Sequence, residues 1–304
     1  MNHPTGPRAL LGARAVRHVC ARTLVVLAVC AVVALVSWRS YGAAAAELSG
    51  LTARASGTVA PLRPGVVLAT WTVNGREVSA EVAIDVRPPT GPTPATIAHS
   101  PADPALAVVP GATLLADADR AAGGIAFTAV VAGLVVLVDL WTLGSRWLAT
   151  RGPARRVLVR RVRVQRGLLT RSWLETESGP ARWVPVHFDP ALVTLPSPTE
   201  VWATGTRWTS VRLPTGEVLH PSGPTRATEP RGRRTDNAAV PDQVAPPSRP
   251  RAWRADLPAT ASAPLVGLFW SYLDASGFAG FLAATGTTGA LALWLWSVRG
   301  SDPS

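Results

Sequence analysis

The chain has 304 residues, a formal net charge of +11, and 30 basic residues that are all arginine. With 47% hydrophobic and only 16% charged residues, it is not a wholly disordered chain. Its two cysteines, Cys20 and Cys30, are too few for a disulfide-stapled secreted domain or a Cys-rich zinc site.

Residues 1–22 read as a basic tail on the cytoplasmic side, with Arg8, Arg14, Arg17 and Arg22. An apolar run comes next, and residues 23–38 read as the first transmembrane helix. At about 1.5 Å per residue this segment reaches roughly 24 Å, short of a hydrocarbon core of about 30 Å. Trp38 suits an interfacial position at one end, and Arg22 can snorkel at the other. The same segment, followed by alanines at 43–46, also suits a cleavable signal peptide, although Trp38, Arg39 and Tyr41 intervene. On either reading the residues after this segment are exported.

Residues 39–123 read as a small extracytoplasmic β domain. Asn74-Gly75 is a strong two-residue hairpin signal, because a type I′ turn needs positive φ at both positions. Closing the hairpin there pairs Val73 with Arg76, Trp71 with Val78, Ala69 with Ala80, and Val67 with Val82. Val67, Ala69, Trp71, Val73, Val78, Ala80 and Val82 share an apolar face that continues to Ile84 and Val86, while Thr70, Thr72, Glu77, Ser79, Glu81 and Asp85 face water. A lone hairpin is marginal, so residues 52–59 and 93–98 are expected to add strands. His99 and Asp103 read as turn residues at a proline-stiffened corner.

A strand ending Ser56-Gly57-Thr58-Val59, a hairpin, a Pro/Gly-rich connection and then Pro101 and Pro104 before a second span resemble a known arrangement. It is the small extracytoplasmic β domain, without an assigned function, that lies between two helices in a family of actinobacterial membrane proteins. The last strand of that family ends in Tyr-x-Pro-x-x-Pro, and His99 stands here where the tyrosine would be. The resemblance covers about residues 45–140. It implies a membrane location and brings no activity.

Residues 124–143 read as the second transmembrane helix, with Trp141, Arg146 and Trp147 at its end. Between the first two spans there are six Arg against seven acidic residues, whereas residues 144–276 hold 19 Arg against ten. By the positive-inside rule the N-terminus and residues 144–276 are cytoplasmic. Residues 144–222 read as short strands between regular turns, a small all-β domain with a bulge or kink at Arg160 and Arg161. Trp173, Trp183, Trp202 and Trp208 read as core rather than as base-stacking platforms, so nucleic acid is not an expected partner. His187 and His220, near Asp189 and Glu217, read as turn and surface chemistry unless the fold brings them together in a pocket.

Residues 223–262 read as a disordered Pro/Arg-rich linker and 263–276 as an interfacial helix. Residues 277–298 form the third span, leaving 299–304 outside. Asp139 and Asp274 are expected at headgroup level.

The fold class expected is membrane α plus β: three transmembrane helices, a small exported β domain and a small cytoplasmic all-β domain. The plasma membrane bilayer is the expected environment. Arg146, Arg151, Arg155, Arg156, Arg160 and Arg161 are candidate contacts for anionic lipid, and Gly280, Ala284 and Thr288 form a small-residue stripe for helix association or homo-oligomers. No nucleophile elbow, phosphate loop, dinucleotide fingerprint or metalloprotease helix occurs, so no enzyme, cofactor or metal is expected. The role expected is a structural or interaction protein of the bacterial envelope with a protein partner. The alternative is an accessory subunit of a transport or signalling complex.

Overall fold

The computed structural model describes residues 14–236 and 256–304, so the start of the basic tail and the linker over 237–255 lie outside the described residues. Four helices are described: α1 (Arg14–Ser49), α2 (Thr113–Ala149), α3 (Ala263–Leu273) and α4 (Gly277–Arg299). Of these, α1, α2 and α4 are long and apolar enough to cross a membrane. The chain divides into two compact units, Cys30–Val131 and the remainder.

The first two helices are longer than the apolar runs suggested. At 36 and 37 residues, α1 and α2 each extend roughly 54 Å, beyond the hydrocarbon thickness. The alanines at 43–46 are strong helix formers, and no proline interrupts the segment, so α1 continues past Trp38. Residues 39–49 and 113–123, assigned above to the exported β domain, are therefore helical, as is the tail from Arg14 onward.

The unit over Cys30–Val131 carries an antiparallel sheet of β1 (Ala53–Arg63), β2 (Val66–Val73), β3 (Arg76–Ala83), β4 (Thr93–His99) and β5 (Ala107–Val108), in the order β3-β2-β1-β4-β5. The hairpin register is the one deduced from Asn74-Gly75, with Val73 opposite Arg76 and Val67 opposite Val82. Asn74 and Gly75 have φ of 51° and 77°, as the turn requires. Val67, Ala69, Trp71 and Val82 are buried with Val59 and Ile97, and the helix residues Leu48 and Leu115 pack against them. Val86 lies outside this core and is exposed. His99 is not a surface turn residue: it is buried, with its ring stacked on Trp71 at 5.9 Å. Asp103 turns away to accept from the Ala105 amide at 3.1 Å.

The second unit holds a curled antiparallel sheet of β6 (Arg155–Arg166), β7 (Leu169–Thr176), β8 (Trp183–Val186), β9 (Thr199–Thr204), β10 (Ser210–Arg212), β11 (Val218–Leu219) and β12 (Arg233–Asp236). The long strand β6 changes partner at Arg160 and Arg161. Residues 155–159 pair with β9 and residues 162–165 pair with β12. Side chains alternate across the sheet. Val159, Arg161, Ser172 and Leu174 enter the inner face, while Val162, Val164, Trp173 and Trp183 pack on the other. The domain does not end at residue 222. Arg226 bridges Trp183, and β12 adds to the sheet, so residues 223–236 are ordered domain rather than linker.

The C-terminal segment is a helical hairpin. A 3-10 stretch, Leu257–Ser262, leads into α3, and α4 returns along it. Thr260 and Ala263 lie near Gly289, and Gly267 faces Phe281 and Thr285, so the two arms run antiparallel. Helix α3 is therefore packed along α4. The close approach uses the row Phe281, Thr285 and Gly289, adjacent to the expected stripe of Gly280, Ala284 and Thr288. A Cβ at Gly267 would lie 2.9 Å from the Phe281 carbonyl oxygen, a backbone atom that cannot give way. Gly267→Leu should therefore prise the arms apart and lower stability by about 1–3 kcal/mol, read as a fall in the unfolding midpoint of the detergent-solubilised protein. An unchanged midpoint would show that the arms do not pack this closely.

Candidate functional site

The outward residues of the hairpin are apolar, but its base is polar. Three buried polar contacts gather there, all within the second unit.

The first ties the hairpin to α1. His18 and Arg22 lie one turn apart on the same helix face. Arg22 donates to Asp256 Oδ2 at 2.9 Å, and His18 Nε2 lies 3.2 Å from the same oxygen. Ser301, just beyond α4, also hydrogen-bonds Asp256. Burial opposes ionisation of Asp256, but the hydrogen bonds from His18, Ser301 and Arg22 outweigh it and hold the carboxyl below its ordinary value.

The second lies along α2. Asp139 accepts from Thr23 of α1 and, at 3.1 Å, from Trp294 Nε1 of α4. It joins three helices. Two turns further on, Arg146 is fully buried and donates to His187 Nε2 at 2.6 Å. A guanidinium only donates, so that nitrogen is unprotonated and the His187 proton sits on Nδ1. The His187 amide donates to the His220 carbonyl at 3.0 Å, which sets the two histidines side by side. Burial, then the charge of Arg146, pushes His187 well below its ordinary value and His220 down to about 4. Both are neutral at physiological pH.

The third ties down the C-terminus. Arg161 donates to Asp302 Oδ2 at 2.8 Å and to the Leu192 carbonyl at 3.0 Å. Ser172 Oγ donates to the same Asp302 oxygen at 2.6 Å, and the Asp302 amide donates to the Thr170 carbonyl at 2.9 Å. The last residues thus extend the edge of β7.

These contacts revise several expectations. Arg146 and Arg161 are 2% and 1% exposed and cannot reach lipid headgroups, and Arg160 is engaged by Glu175 at 2.8 Å and Glu177 at 3.5 Å. Of the expected basic cluster, Arg151, Arg155 and Arg156 remain at the surface, with Arg151 stacked on Trp147 at 3.4 Å. His187 and His220 are interior, not surface, residues. They converge, but Asp189 does not join them, because its side chain caps the Ala191 amide at 3.0 Å. Residues 299–304 cannot lie across a membrane from the β6–β12 sheet, since Asp302 is part of that sheet's interior.

Chemically, the basic nitrogen of His187 is occupied by a cation, which opposes its protonation and makes it a poor general base. Among the described residues, no three or more His, Cys, Asp or Glu are grouped to hold a metal ion. Sequence alone does not single out Asp256, Asp302 and Arg22 as partners, because their contacts join residues 141 and 234 positions apart. Compared with protein-family models, with curated proteins and with solved structures, the chain matches none.

Proposed function

We propose that the chain is a multi-pass plasma-membrane protein and a non-enzymatic interaction protein of the cell envelope. In this reading the N-terminus and the β6–β12 domain are cytoplasmic, and the β1–β5 domain is exported. The observation that carries it is the pairing of lipid-suited helix surfaces with a polar interior. Leu24, Val32, Trp38, Leu134, Leu137 and Trp141 are exposed on α1 and α2, whereas Arg22, Asp139 and Arg146 are turned into contacts between elements. The resemblance to actinobacterial membrane proteins agrees with this layout. The hairpin adds an even number of passages. Its 3-10 stretch and α3 together extend about 28 Å and α4 about 34 Å, enough for each arm to enter the bilayer deeply and return. Both termini then share the cytoplasmic side.

The interaction role rests on the histidine contacts at the membrane end of α2, which hold the β6–β12 domain rigidly rather than offering reactive groups. Affinity purification of the full-length protein in mild detergent is expected to recover a defined protein partner. Recovery of the chain alone would count against the reading. Recovery with pump or kinase subunits would favour the accessory-subunit alternative.

A further inference from the structure

Two arginines that the buried contacts do not use, Arg171 and Arg226, share the outer face of β7, and a third, Arg299, ends α4 nearby. Arg171 and Ser172 leave the strand on opposite sides, so Asp302, held on the Ser172 side, does not reach the Arg171 side. The Arg171 guanidinium lies 5.0 Å from the centre of the Trp173 ring, and the Arg226 guanidinium lies 5.7 Å from the same ring. Arg171 also donates to the carbonyl and hydroxyl of Ser222, each at 3.2 Å.

The end of α4 meets this point. Ser301 bridges Arg171, and the Gly300 backbone packs so closely on Ser222 that an added Cβ would lie 2.6 Å from the serine Cβ. Arg299 leaves the chain two residues before Ser301, close enough for its charge to act on Arg171. Burial, then the charges of Arg226 and Arg299, lowers Arg171 to about 10. Among the described residues, none of the three has an ion pair, and the buried Arg171 Nε has no hydrogen-bond partner. The nearby carboxylates are engaged elsewhere, Asp302 by Arg161 and Asp256 by Arg22 and His18. The positive-inside rule accounts for arginines on one side of a membrane, and the helix dipole favours a cation at Arg299. Neither accounts for Arg171 and Arg226 sharing the Trp173 ring, within reach of the Arg299 charge, with no carboxylate paired to them.

We infer that Arg171, Arg226 and Arg299 bind a phosphate group, supplied by the headgroup of an anionic phospholipid in the leaflet where α4 ends. Guanidinium forks match phosphate oxygens, and Arg226 and Arg299 are exposed to receive them. This inference rests on the membrane reading above.

The test uses the full chain reconstituted in bilayers of equal parts phosphatidylglycerol and phosphatidylcholine, with retained lipid counted by native mass spectrometry. Arg226→Gln or Arg299→Gln alone is expected to weaken phosphatidylglycerol retention about fivefold, and the pair together about thirtyfold. Excess inorganic phosphate should leave retention unchanged. Displacement by phosphate would overturn the lipid assignment in favour of a soluble phosphate. An equal loss in a control variant, Arg155→Gln with Arg156→Gln, would overturn a localised site in favour of diffuse attraction, and so would unchanged retention in the Arg226/Arg299 variant. Failure of the wild-type chain to insert would instead overturn the membrane reading. Both tested arginines are at the surface, and an unchanged unfolding midpoint verifies that the variants are folded.

Discussion

Asp302→Ala is expected to destabilise the β6–β12 domain by about 3–5 kcal/mol, although the residue lies only two positions from the end of the chain. Arg161 is fully buried on the inner face of β6, and Asp302 is its carboxylate partner. Burial opposes ionisation of Asp302, but the Arg161 charge and the Ser172 and Ser304 hydroxyls outweigh it and keep the carboxyl below its ordinary value. Removing the carboxylate strands a buried guanidinium among Leu192, Ser172 and the sheet interior. Deleting residues 301–304 should do the same. Arg161→Met combined with Asp302→Leu should recover most of the loss, because an apolar pair leaves no unpaired charge. Denaturant unfolding in detergent, followed through the fluorescence of the buried Trp173 and Trp183, measures all four proteins. A loss below about 1 kcal/mol for Asp302→Ala would show that the tail does not dock in solution.

Acid should weaken the same domain in a window set by its histidines. His187 is held far below its ordinary value and His220 at about 4 rather than 6.5, so the unfolded chain binds more protons than the folded one between those limits. Stability is therefore complete above about pH 6.5 and falls as the pH drops toward about 4. His220 alone accounts for roughly 3 kcal/mol over that range. Asp256 and Asp302 lie below their ordinary values and titrate under this window. The groups that oppose protonation of His187 are Arg146, His220, Arg171 and His18. His187→Gln with His220→Gln, which keeps an acceptor for Arg146, should flatten the unfolding midpoint between about pH 7 and pH 4.5. Parallel profiles for variant and wild type would contradict this assignment.

What the sequence revealed and what it hid divide along the range of the interactions. The β2–β3 register was legible because Asn74-Gly75 and alternation on either side are local signals. Two adjacent arginines interrupt the valine alternation where the strand exchanges β9 for β12, but the register with β7 runs through them unbroken, so the expected bulge is a change of partner instead. The apolar runs located the helices, but not their ends. Hydropathy marks the lipid-facing stretch, whereas alanine propensity carries α1 on to Ser49. The hairpin was hidden because α3 is too short to register as a span, and its length is completed by the preceding 3-10 stretch. The arginine count misled in a specific way. Arg146 and Arg161 resemble their surface neighbours Arg151 and Arg155 in sequence, and only the distant His187 and Asp302 distinguish them.

The side of the membrane occupied by Ser304 tests the central claim most directly. In a chain with Cys20 and Cys30 replaced by alanine, single cysteines at Thr90, Ala181 and Ser304 can be exposed to a membrane-impermeant maleimide in intact cells. Thr90 and Ala181 lie on exposed turns of the two sheets, and Ser304 comes two residues after the docked Asp302. Labelling at Thr90 with protection at both Ala181 and Ser304, reversed when the cells are opened, is the predicted result. Labelling of Ser304 together with Thr90 while Ala181 stays protected would contradict the hairpin and the docked C-terminus alike.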